Sequence, residues 1–212
     1  MVGLNYLEFK NRVLMLINQY TMAGAEVALS YNNQADYVNK IPSLLDSVQR
    51  YLATTTCPIY ASQRLDWDTA EEREGFYIFK MPEDFWQLLG RGIPVLRAGE
   101  FTMYHNYRWM GRDRMVIPAK DRAEMEVHYY RYPKSVPGAP ADDYVLDGEA
   151  DAQEAAVYYV AANLIMHDNA FAYSALYNEF ESRRQQMVEH PQTEYDRIED
   201  IYGNPGDGVY GV

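Results

Sequence analysis

The residue types best able to hold a metal or attack a substrate are few in this chain: His105, His128, His167 and His190, and one cysteine, Cys57. A zinc helix motif needs two histidines one turn apart, and a thiolate site needs several cysteines. The four histidines fall on different predicted elements, so each reads as a surface or structural residue. Asp142, Asp143, Asp147, Glu149 and Asp151 invite a calcium reading. They fail as an EF-hand loop, because the central glycine and terminal glutamate are out of register. Acids at the positive end of a helix dipole account for Asp147, Glu149 and Asp151 without a metal. Ser62, Ser135 and Ser174 lack the flanking glycines of a nucleophile elbow. The glycine-rich stretch Gly203-Asn204-Pro205-Gly206-Asp207-Gly208 does not join a strand to a helix, as a phosphate cradle would. Glu83 and Asp84 are adjacent on a turn and are poorly placed to share one substrate. The expectation is a chain that is not an enzyme and carries no catalytic, cofactor-binding or metal site.

The elements that would position any other function follow from periodicity. Asn5 and Glu8 have the spacing of a capping box, and Phe9, Val13, Leu16, Ile17 and Tyr20 then share a helix face. Residues 23–34 read as a connection. A second helix is predicted from Asp36, with the stripe Val38, Ile41, Leu45, Val48 and Leu52. Pro42 either kinks it or marks its true first turn, and Cys57-Pro58 ends it. From residue 59 to about 132 the period changes to that of strands. Residues 101–109 and 114–117 flank Met110-Gly111-Arg112-Asp113 as a hairpin, and Met125, Val127 and Tyr129 alternate against an outward Glu124, Glu126 and His128. Asp147 is the predicted cap of a third helix with the small-residue stripe Ala152, Ala155, Tyr159, Ala162 and Met166. A fourth carries Tyr173, Leu176, Tyr177, Phe180 and Met187. The predicted fold is α+β and mainly α. It has a four-helix bundle core (residues 1–58 and 142–191), an antiparallel β insert between helices 2 and 3 (59–141) and an extended C-terminal arm (192–212).

Composition bounds the function classes. The chain has 212 residues, 48% of them apolar, enough to bury roughly 70% of the unfolded surface. It has no long apolar run for a membrane span. The N-terminus lacks the blocks of a signal peptide, and one cysteine is few for a secreted protein, so synthesis in the cytoplasm is expected. A net charge of −12 argues against wrapping DNA, which needs cations against phosphate. Twenty tyrosines suit a contact surface, and would equally suit the edge of an ordinary core.

The order of elements, with Met81-Pro82-Glu83-Asp84-Phe85 in the middle, resembles the head-to-tail adaptor (connector, or head-completion) proteins of tailed bacteriophages. It is most similar to the adaptors of short-tailed phages, the tail tubular protein A type. These carry a "Leu-Pro-x-Asp-Phe"-like turn after an early strand, and Met81 stands here where leucine would be. A hairpin with tryptophan and glycine near its tip, like Trp109-Met110-Gly111, comes next. A proline-rich return and a pair of helices rich in small residues follow. The resemblance spans nearly the whole chain, on short and degenerate motifs.

The resemblance implies a structural virion protein that forms a ring, commonly of twelve copies, in the neck between capsid portal and tail, assembled in the host cytoplasm. The partners implied are further copies of the chain, the portal protein, the tail or nozzle protein, and double-stranded DNA passing through the channel without specific binding. No membrane and no cofactor enter. Residues 193–212 would be the portal-docking arm, with Tyr195, Ile198, Ile201, Tyr202, Val209 and Tyr210 as anchors. Phe85, Trp86, Tyr104, Tyr107 and Trp109 would touch the tail side or a neighbouring subunit. The rival expectation is a soluble, non-enzymatic binding module whose aromatic insert stacks on carbohydrate or peptide. A cleft enzyme using scattered carboxylates would need a pocket that the sequence does not specify.

Overall fold

Asn5 and Glu8 form the reciprocal cap that their spacing predicts. The Glu8 amide donates to Asn5 Oδ1 at 2.8 Å and the Asn5 amide to Glu8 Oε2 at 3.5 Å. This comes from a computed structural model, which describes residues 3–22, 31–90, 92–97 and 100–189. Helix α1 (Tyr6–Met22) buries Phe9, Val13 and Ile17 completely. Helix α2 (Tyr31–Thr55) begins before Asp36 and holds Pro42 in its interior, not at its first turn. Its buried stripe is Ile41, Leu45, Val48 and Leu52, headed by Tyr37 instead of Val38. At its end the hydroxyls of Thr54 and Thr55 donate to the carbonyls of Arg50 and Tyr51. Such competition with the backbone weakens a last turn.

Helix α3 (Ala150–Ile165) is apolar nearly all round and buried to match, from Gln153 and Ala155 through Val160 to Leu164 and Ile165. Asp147 does not cap it. Glu149 occupies the cap position without a side-chain bond, while Asp147 accepts from the amides of Lys134 and Gly148. Helix α4 (Ala170–Glu189) is capped by Asn169, whose Oδ1 accepts from the Ala172 amide at 3.0 Å.

The expected four-helix bundle core is not what forms. Among the described residues the protein is a mixed α/β fold of four helices and nine strands in two antiparallel sheets, with 44% of those residues in helix and 25% in strand. The reason lies in α3. In a bundle each helix shows one stripe to a shared axis, whereas α1, α2 and α4 all pack principally on α3. A helix clad on several sides must be apolar around its circumference, and its alanines allow the close approach. The strands, for their part, build a second core of their own.

That second core draws on two sheets. The first has the order β1 (Ile59–Arg64), β9 (Glu124–Arg131), β5 (Ile93–Arg97), β6 (Glu100–Tyr104), with β4 (Phe85–Leu88) also paired to β9. The second runs β2 (Glu71–Arg73), β3 (Phe76–Lys80), β8 (Arg114–Pro118), β7 (Arg108–Trp109). The predicted hairpin around Gly111 is therefore shorter than expected: β7 pairs with β8, while residues 100–104 turn back to β5. Met125, Val127 and Tyr129 face the core as their alternation predicts. His128, expected outward, is 8% exposed because Tyr60 of the neighbouring strand stacks over it, with ring centroids 5.6 Å apart.

The chain divides into two compact units. One comprises Met1–Ile59 and Tyr132–Pro191, and the other is built on Tyr60–Arg131. The helical unit's core includes Phe9, Leu45, Val160 and Phe180, and the sheet unit's includes Ile93, Met115 and Val127.

Candidate functional site

The turn at Met81-Pro82-Glu83-Asp84 is fixed at both ends. The Met81 amide donates to the Asp113 carbonyl at 2.7 Å, and the Phe85 amide to the Pro82 carbonyl at 3.0 Å. Met81 itself is buried, at 3% exposure. This delivers Phe85 into an aromatic cluster, 5.3 Å from Trp109 and 5.4 Å from Tyr129 between ring centroids. Tyr107 meets Trp109 edge-on at 6.2 Å. Trp109 is held by the β7–β8 hairpin, where the Met110 amide donates to the Arg114 carbonyl and Gly111 takes the left-handed φ of 76°. Ring pairs of this kind add about 0.5–1.5 kcal/mol each beyond burial. They fix the cluster while leaving Trp109 38% and Met110 41% exposed.

The other two predicted contact residues lie elsewhere. Trp86 sits at the β-bulge in β4 and packs on Tyr130. Tyr104 belongs to the core; its hydroxyl donates to the Asn106 carbonyl at 2.6 Å and meets Asp121 at 2.9 Å. Phe85, Tyr107 and Trp109 thus form one partly open surface, and Trp86 and Tyr104 are not part of it.

The groups of potential chemistry are dispersed. Burial holds the His128 imidazole below the usual histidine range, partly offset by Glu126, and Tyr60 contacts its Nδ1. Among the described residues, no group of three or more histidines, cysteines or carboxylates converges to hold a metal ion. Nor is any helix among them long and apolar enough to cross a membrane. Cys57 lines a small cleft in the helical unit with Leu52, Ile59, Pro133, Asp147 and Ala152. Burial, then its hydrogen bond to Glu149 at 3.2 Å, push its thiol up to about 12. A thiol held protonated is a poor nucleophile. Native Cys57 is expected to react with a thiol-disulfide reagent at pH 8 roughly a hundredfold more slowly than in urea. Equal rates in both would refute the assigned environment.

One polar residue that periodicity did not single out organises this cleft. Gln153 is 2% exposed on α3. Its Oε1 accepts from the Leu4 amide at 2.7 Å, and its Nε2 donates to the carbonyls of Leu146 and Gly148 at 3.1 and 2.9 Å. The signal was there: a lone amide in an alanine-rich run must satisfy its polar atoms inside the core.

His190 and the arm residues Tyr195, Ile198, Ile201, Tyr202, Val209 and Tyr210 lie outside the described residues. No protein family matches the sequence, and no curated protein matches it.

Proposed function

We propose that this protein is a structural adaptor of the tailed-bacteriophage neck. It forms a ring of identical copies between portal and tail, extending the DNA channel and offering the tail a docking surface. The observation that carries this reading is the meeting of its two most specific motifs. Phe85, which ends the Met81-Pro82-Glu83-Asp84-Phe85 turn, lies 5.3 Å from Trp109 of the Trp109-Met110-Gly111 hairpin. Phe85 and Trp109 are 24 positions apart in sequence, and the turn and the hairpin bring them into one surface. That surface keeps an apolar edge, Trp109 and Met110, of the kind enriched where proteins touch.

Two further features of the chain support the reading. A net charge of −12 lets duplex DNA pass a ring without a counter-charge to hold it. Residues 193–212 add five carboxylates and only one arginine to apolar anchors such as Tyr195, Ile198 and Tyr202. Apolar and aromatic anchors of that kind suit docking on a partner, here the portal.

Removing residues 193–212 is expected to leave a folded chain that no longer joins purified portal rings, read by mass photometry of the mixture. Undiminished portal binding by the shortened chain would remove the arm's role. A wild-type chain indifferent to the portal, whose tryptophan fluorescence instead responds to carbohydrate or peptide, would replace the adaptor with a binding module.

A further inference from the structure

The four-stranded sheet turns Phe79, Met115 and Ile117 toward its core, so the alternate residues face away from it. The register sets these side by side. Arg108 neighbours Val116, which neighbours Ile78, which neighbours Glu71; Arg114 neighbours Lys80; Pro118 neighbours Phe76, which neighbours Arg73. This outer face therefore gathers Arg73, Lys80, Arg108 and Arg114, all exposed, around a Phe76 that is 41% exposed. Glu71 is its one carboxylate.

Among the described residues none of these four cations lies within ion-pair distance of a carboxylate, whereas Arg64 and Arg122 of the same unit do. Lys80 and Arg114 stand directly opposite each other on paired strands. Like charges in that position repel and destabilise the pair unless an anion lies between them. The remaining charge of the protein is distributed in the opposite sense. Residues 1–59 and 132–191 carry 14 acidic and seven basic residues, against 12 and 11 in residues 60–131. The stretch 142–154 has six acidic residues and no basic one, with Asp143 and Asp151 exposed.

We propose that the outer face of this sheet docks a second copy of the chain, whose carboxylates of residues 142–154 seat on Lys80, Arg108 and Arg114. The inference deepens the ring reading above and rests on it. Two different patches meet in such a contact, so it repeats from copy to copy and can close into a ring. Phe76, Val116 and Pro118 beside the cations suit a protein surface, which takes arginine together with aromatic and apolar area. A phosphate backbone uses only the charge, and a chain of −12 would repel it.

Sedimentation velocity of the full chain at low salt is expected to show self-association that weakens as salt rises. The variants Lys80→Glu/Arg114→Glu and Asp143→Lys/Asp151→Lys should each weaken it about tenfold or more, and an equimolar mixture of the two should associate again. All four positions are exposed, and far-UV circular dichroism checks that both variants fold. A wild-type chain that stays monomeric throughout would overturn the proposal, as would a Lys80→Glu/Arg114→Glu variant that associates like wild type. Duplex DNA binding that this variant loses would also overturn it, giving the face to phosphates instead. Self-association through this contact without portal binding sinks the adaptor and spares the contact. A charge-reversed variant that still completes portal-bound rings does the reverse.

Discussion

Phe180→Ala is expected to destabilise the helical unit by about 3–5 kcal/mol. Phe180 is fully buried, and its ring touches three others: Tyr159 of α3 at 5.1 Å, Tyr177 of its own helix at 5.8 Å and Tyr51 of α2 at 6.5 Å. Truncation removes the apolar burial and the ring contacts together. The cavity cannot close easily, since its walls belong to three different helices. Urea unfolding followed by far-UV circular dichroism reads the loss as a lower midpoint. A loss below ~1 kcal/mol would mean that the three tyrosines collapse into the space. Tryptophan fluorescence gives a separate channel, because Trp67, Trp86 and Trp109 all belong to residues 60–131.

Gln153→Leu, nearly equal in volume, is expected to cost about 3 kcal/mol for a different reason. The substitution leaves the Leu4 amide and the carbonyls of Leu146 and Gly148 without their side-chain partner. Leu4 and Leu146 also belong, through their other backbone groups, to the pairing that ties the start of the chain to residues 144–146. There the Leu146 amide donates to the Leu4 carbonyl at 3.0 Å and the Tyr6 amide to the Tyr144 carbonyl at 2.8 Å. Amide hydrogen exchange at Leu4 and Tyr6 should accelerate along with the loss of stability. Unchanged exchange and a loss below ~1 kcal/mol would show that water replaces the amide at no cost.

Local rules that involve few residues were legible in the sequence. Asn5 and Glu8 needed only their spacing, and Met125, Val127 and Tyr129 only their alternation. What failed was whatever a distant strand or helix decides. His128 reads as outward until Tyr60 covers it, and Asp147 reads as a cap until the Lys134 amide is seen to donate to it. Residues 93–97 hold Pro94, which weakens a strand reading, yet they pair with both β6 and β9. In sequence the four helices suggest a bundle because each shows apolar residues at helical period. The alanine content of α3 could have marked it as the helix around which the others gather. The aromatic surface was half legible: Phe85 and Trp109 were picked out, while their meeting depends on a hairpin and a turn brought together in space. The outer face of the four-stranded sheet escaped because its cations come from three strands, and only the register assembles them.

The sheet unit begins on β1 and ends on β9, and these two strands are neighbours. Tyr60 lies against His128, Ser62 against Glu126 and Arg64 against Glu124, so the ladder runs back toward the two chain crossings near residues 59 and 132. Paired strands sit roughly 5 Å apart. A short artificial turn could therefore bridge that gap after excision, and a foreign module with similarly close ends could be transplanted in its place. Such cut-and-splice tolerance would let a lineage exchange one module while keeping the other.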